Sequence, residues 1–358
     1  MNQNSNLKLQ ALAIGSLPHN NLDDAMSLVR KDFSEIPFFP QLANISKNED
    51  MIIQFLEGMP SFFASNQDEF RLDSESDEFL EALEEFFIDY EEIVSGEAPE
   101  KLEKYAISSA FSSAFPVFEE IIRETKPMYA KGQIVAPFTL ATTLTDKKSK
   151  AVIYDETLRE VIVKFLTLKA LWQIKRIKQA NPDTIPIMFM DEPSISQLGT
   201  SAYLTVGDYT VASMIREISD VIKENGGMSA IHCCGKCDWV LPLASGVNIV
   251  NLDAYCYSEY FALFGKVIEK FLNNGGKIAW GLVPTLDVEA LERITVEDLI
   301  EKFEQSVKYL TKKGIDEKLI IDNSLVTPSC GAGSLTVDMA VKAMDLVKEL
   351  SNRLRERF

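Results

Sequence analysis

The chain has 358 residues, 46% hydrophobic and 25% charged, with a formal charge of −18. That length suits one large α/β barrel, and ordinary globular usage excludes a disordered or fibrous chain. So large an anionic excess repels phosphate backbones and anionic lipid, which excludes nucleic acid and membrane surfaces as expected partners. The opening MNQNSNLKLQALAIGS has no basic segment followed by an apolar one, and no apolar run reaches the ~18 residues of a membrane span, so the cytoplasm is the expected location.

Short apolar runs alternate with helical patterns, the signature of βαβ units on a parallel sheet. Strands are predicted at 11–16, 36–42, 132–138, 185–191, 228–234, 248–253, 277–283 and 318–324. These eight predict an α/β fold, a single (β/α)₈ TIM barrel filling residues 1–358. Asn225-Gly226-Gly227 and Asn274-Gly275-Gly276 read as helix C-caps feeding directly into the next strands. The stretch 60–127 breaks the rhythm: Phe79, Leu83, Phe86, Phe87 and Tyr90 recur at helical spacing, predicting an inserted helical layer between strands 2 and 3. Within 66–100, Asp and Glu at fourteen positions face one basic residue, Arg71, a pattern most simply read as a solvated face.

The residue types capable of chemistry gather at predicted strand ends, where the βα loops of a barrel converge. Gly15-Ser16, Asp191, His232-Cys233-Cys234, Asp253 and Ser329-Cys330 all fall there. In IHCCGKCDW (231–239), alternation along a strand points His232 and Cys234 to one face and Cys233 to the other. One imidazole and one thiolate then converge, and Cys330 in TPSCGAGS is the cysteine placed to complete a soft, zinc-type donor set from another strand end. Asp253 is the natural oxygen donor for a fourth position. Five cysteines and no export signal argue against a disulfide framework, and Cys233 and Cys256 read as buried small hydrophobes. Cys234 and Cys237 also make a C-x-x-C pair, readable as a redox dithiol or a second zinc clip, although Gly235-Lys236 does not open a helix as the redox motif requires. Asp191, followed by Pro193, reads either as a substrate ligand or as an N-cap.

The segments IGSLPH (14–19), MDEPSI (190–195), HCCG (232–235), LDAY (252–255), WGLVPT (280–285) and TPSCGAG (327–333), in this order, resemble the catalytic barrel of cobalamin-independent methionine synthase and the related uroporphyrinogen-decarboxylase-like methyltransferases. The resemblance implies a catalytic zinc on His232, Cys234, Cys330 and Asp253, where the methionine synthases carry Glu at the last position. It implies that Ile14, Gly15 and Ser16 hold the amino-acid end of homocysteine and that Asp191 binds its amino group. A further carboxylate of that family, near the end of strand 2, has Gln41 and Glu49 as candidate positions. The implied activity is S-methylation of a small thiol, homocysteine to methionine, with a folate or a methylated corrinoid as donor. The region after strand 3 reads APFTLATTL and lacks the tryptophan that the folate-using enzymes place at the pterin; with the anionic charge, this favours a corrinoid carried on a partner protein. Three other functions are weighed: a corrinoid-dependent methyltransferase for another thiol, a porphyrinogen decarboxylase, and a non-catalytic zinc- or corrinoid-binding module. The decarboxylase lacks its Arg-rich N-terminal motif, since no Arg precedes Arg30.

Overall fold

The computed structural model describes residues 7–60, 62–66, 69–72, 74 and 76–358. The first six residues of the opening segment, and Asp68, Asp73 and Glu75 of the acidic run, lie outside the described residues. The strands are β1 (Phe62–Asn66), β2 (Glu69–Leu72), β3 (Tyr129–Val135), β4 (Thr145–Asp146), β5 (Ile185–Asp191), β6 (Met228–Cys233), β7 (Ile249–Leu252), β8 (Lys277–Val283) and β9 (Ser324–Pro328). The helices are α1 (Leu22–Asp32), α2 (Asp77–Ser95), α3 (Phe115–Thr125), α4 (Pro137–Thr143), α5 (Glu156–Ala180), α6 (Asp208–Glu224), α7 (Val240–Ala244), α8 (Ala254–Phe261), α9 (Gly265–Asn273), α10 (Val288–Arg293), α11 (Val296–Thr311), α12 (Glu317–Asp322) and α13 (Val337–Arg357).

Six strands form one curled parallel sheet in the order β3-β5-β6-β7-β8-β9. Its strands are buried almost throughout, as a parallel sheet covered by helices requires. Two further segments lie against its edges through single parallel bridges: Ala11 with Val326 of β9, Phe38 with Lys131 of β3, and Ser16 with Gln41 between them. An interior cluster takes Tyr129, Phe189, Ala230, Ile249, Ala279 and Leu325 from the six strands and adds Leu7, Leu12 and Ile36 from those segments. No helix among the described residues is long and apolar enough to cross a membrane.

The helix stops read from Asn-Gly-Gly are present: Asn225 and Asn274 are C-caps, and Gly226 and Gly275 take φ of 72° and 84°, left-handed values that glycine adopts without strain. Three expectations are corrected. The strand expected at 132–138 is displaced to Tyr129–Val135, because Pro137 starts α4 and cannot donate to a ladder. The run 318–324 is not the eighth strand: Asp316 caps Leu319 N–H at 2.8 Å and starts α12, and the strand is the following Ser324–Pro328. Segment 60–127 is not wholly helical, for β1 and β2 form an antiparallel hairpin, and β2 pairs in parallel with β4. Within that segment α2 buries Phe79, Phe86 and Tyr90 as its spacing predicts. Its acidic side is partly neutralised, since Lys101 and Lys104 both pair with buried Asp89.

Candidate metal and thiol site

Sheet register aligns Val135, Asp191, His232 and Asn251 across β3, β5, β6 and β7 near their C-terminal ends. Asp191, His232 and Asn251 are nearly or fully buried. The Asn251 amide is oriented by two donations of 2.8 Å, to Ala279 O and Thr327 Oγ1. Its Oδ1 therefore faces His232 and accepts from Nδ1–H. This assigns Nδ1–H to Asn251 and leaves Nε2 as the ring nitrogen that a metal could take once it displaces a proton. His232 Nε2 has no hydrogen-bond partner among the described residues.

His232, Cys234 and Cys330 each offer a donor atom, and the three atoms lie within 4.8 Å of one another. Thr285 holds the Cys330 backbone: its Oγ1 accepts from Cys330 N–H at 3.0 Å and donates to Cys330 O at 3.0 Å. The Cys330 thiol, then the His232 imidazole, outweigh burial and bring the Cys234 pKa down to about 4. Burial resists charging His232, but the adjacent Cys234 thiolate prevails and lifts it to about 9. The same thiolate, then burial, push Cys330 upward. One thiolate between two protonated neighbours is a site from which a divalent cation would displace protons. An imidazole with two thiolates fits zinc by donor type.

The cluster opens into a cavity of ≈ 490 Å³ that is also lined by Ile14, Ser16 and Asp191. Gly15 and Asp253 lie outside that lining. Asp253 instead caps α8, accepting from Cys256 N–H at 2.9 Å, and is not part of the three-residue donor group. Asp191 is no N-cap: Oδ1 is buried without a partner, and burial raises its pKa against the pull of Lys131 and His232. Ser16 carries a second wall, because Ala332 N–H donates to Ser16 O at 2.9 Å and Gly333 N–H to Ser16 Oγ at 3.3 Å. Any Cβ at position 331 would overlap Ser16 Oγ, so Gly331 is what permits this approach.

Two positions near the end of the second segment are candidates for a further acceptor-binding residue, and of the two only Glu49 carries a carboxylate. Gln41 and Glu49 both line the cavity. Glu49 is 1% exposed; Oε1 accepts from Ser113 N–H at 3.1 Å, and Oε2 has no partner among the described residues. No local pattern identified it, since it sits in a short 3₁₀ turn, Lys47–Glu49, whose position depends on the 111–114 loop. The C-x-x-C reading is also revised: buried Cys237 has Cys233 as its thiol neighbour, and that contact, then burial, raises its pKa.

No protein-family model matches the chain. A protein named methionine synthase from Methanocaldococcus jannaschii is 26% identical over 232 residues, covering 63% of this chain. The chain spans 65% of that relative's length. The likeness supports a methionine-synthase-like chain at that coarse level.

Proposed function

We propose that the protein is a zinc-dependent S-methyltransferase that methylates a small thiol, homocysteine to methionine, at the mouth of a single (β/α)₈ barrel spanning 1–358, with 60–127 as an inserted segment. The bridged segments around Ala11–Ser16 and Phe38–Gln41 supply the two remaining staves between β9 and β3. The observation that carries the reading is the unpartnered Nε2 of His232 grouped with Cys234 and Cys330 in the same cavity as the unpartnered Asp191 Oδ1 and Glu49 Oε2.

His232, Cys234 and Cys330 would hold the metal, and Asp253, the fourth ligand that the resemblance implies, would stay outside that donor group while it caps α8. Zinc bound there supplies the acidity that deprotonates a thiol whose own pKa is ~8.5, leaving a nucleophilic sulfur at neutral pH. The chain's other groups orient the acceptor. Asp191 Oδ1 and Glu49 Oε2 are two buried anionic acceptors in one cavity, a pairing that suits an ammonium group. Ile14, Gly15 and Ser16 would receive the carboxylate end. Leu17, Met51 and Leu286 give the same cavity apolar wall, which limits water around the sulfur.

Among the described residues that line the cavity there is no Lys, Arg or aromatic side chain. A folate would find no ring for its pterin and no cation for its glutamates, which favours a methylated corrinoid on a partner protein as donor. The test gives zinc-loaded protein homocysteine with methylcobalamin, methyltetrahydrofolate or its triglutamate. Methionine formed with methylcobalamin and far more slowly with either folate is expected; efficient turnover with the folates alone overturns the donor, and no methionine with any donor overturns the activity.

A further inference from the structure

Lys131 and Gln133 are two residues apart on β3, face the sheet interior together, and are both 0% exposed. The Lys131 ammonium donates to the Ile14 carbonyl and, at 2.6 Å, to Gln133 Oε1, and lies 4.8 Å from the centroid of the Phe189 ring. Gln133 Nε2 donates to Phe39 O at 3.1 Å. Gln173 of α5 fixes Gln133 from behind, accepting from its backbone N–H at 3.0 Å and donating to its carbonyl at 2.8 Å. A Cβ at Gly15 would come within 2.6 Å of Gln133 Oε1, so only glycine lets the first segment lie this close.

Burying an ammonium costs several kcal/mol unless it is well satisfied, and an apolar side chain would fill the same space more cheaply. The retained lysine stands where the sheet lacks a ladder. Between β9 and β3 the segments carrying Ile14 and Phe39 form isolated bridges and a few backbone hydrogen bonds, such as Leu12 N–H to Val326 O at 2.8 Å and Lys131 N–H to Pro37 O at 2.8 Å, in place of a continuous ladder. Lys131 and Gln133 add side-chain donors to that sparse backbone pairing, at Ile14 O and Phe39 O.

We infer that Lys131 is a positioning residue: its buried ammonium fixes the Ile14–Ser16 arm, and with it the carboxylate end of the acceptor thiol, at a set place relative to the metal ligands. This rests on the thiol-methyltransferase reading. It does not involve the metal directly, because His232, Cys234 and Cys330 are held from β6 and the end of β9.

The test compares zinc-loaded wild type and Lys131→Met by calorimetric titration with homocysteine, 4-mercaptobutanoate and propanethiol. Lys131→Met is expected to keep its zinc and bind propanethiol as the wild type does, while both carboxylated thiols weaken by about tenfold, ~1.4 kcal/mol. Unchanged affinity for the carboxylated thiols, or equal weakening for all three, overturns the positioning role. Should Lys131→Met not fold, Lys131→Gln, which keeps a neutral donor of shorter reach, decides by the same ratio. A wild type that binds zinc but none of the three thiols instead removes the functional reading on which the inference stands.

Discussion

The two walls of the cavity are built by different means. On the metal side, His232 sits inside a continuous parallel ladder from β5 to β8, and its tautomer is set by Asn251, itself held by Ala279 and Thr327. On the acceptor side, Ile14 and Ser16 belong to a segment joined by isolated bridges and a few backbone bonds, Glu49 sits in a short 3₁₀ turn, and side chains such as Lys131 reinforce the join. A ladder distributes a perturbation over many bonds, whereas a strut concentrates it in one. The metal wall should therefore tolerate changes beyond its donors and their orienting partner Asn251, and the acceptor wall should respond to single substitutions some distance from the ligand.

The largest effect that could break this contrast is at the donors. Cys234→Ser is expected to abolish stoichiometric zinc, while Cys233→Ser, on the opposite face of β6, should retain it; metal analysis of both purified variants decides, and equal zinc in the two would remove the assigned donor set. Asn251→Ala tests the ladder-held support. It frees the His232 tautomer and should weaken zinc about 10–100-fold in competition with a chromophoric chelator, the usual cost of losing a ligand's orienting partner. Affinity equal to wild type would mean the ladder alone orients the imidazole.

Changes of similar size to that of Asn251→Ala belong to the acceptor wall. Glu49→Gln and Asp191→Asn each remove a charge with little change of shape, so each should cost homocysteine ~1.5–3 kcal/mol while leaving 4-mercaptobutanoate, which lacks the amine, nearly unaffected. Loss of both ligands alike would show that the carboxylates shape the pocket and do not read the ammonium.

A separate prediction, on stability, concerns a second buried lysine with a similar duty. Lys169 of α5 donates to Glu57 O at 2.6 Å and to Ala106 O at 2.9 Å, tying the segment that follows Gln41 to the helix layer. Burial lowers its pKa to about 7, against the opposing pull of Glu57. Above that pH the folded state binds fewer protons than the unfolded chain, whose lysine titrates near ~10.4. Stability contributed through Lys169 therefore rises with pH from about 7 to about 10, by at most ~1.4 kcal/mol per unit. Denaturant unfolding across that range should show the rise in wild type and a shallower one in Lys169→Met; parallel curves would place the Lys169 pKa at its ordinary value.

Much of the metal wall is legible in the residue order, because alternation in IHCC needs only a strand, and an apolar run ending in His and Cys supplies one. The caps at Asn225 and Asn274 are legible for a similar reason, since positive φ is a local demand that glycine meets. Local pattern failed at 318–324, where Leu319, Ile320 and Ile321 suit a short buried helix as well as a strand and the Asp316 cap decides. It also missed the β1–β2 hairpin within 60–127.

What the sequence by itself determined is the α/β alternation, the strand-end position of His232, Cys234, Asp191 and Cys330, and which cysteine of the Cys233-Cys234 pair faces inward. These depend on periods of a few residues. Only the tertiary structure decided that Cys330 reaches the donors of β6, that Glu49 comes to the cavity with an unpartnered carboxylate oxygen, and that Lys131 captures the Ile14 carbonyl across 117 positions of chain. Each of those depends on loop paths and on the closing of the sheet's two edges, where single bridges and buried side chains set distances that no local spacing encodes.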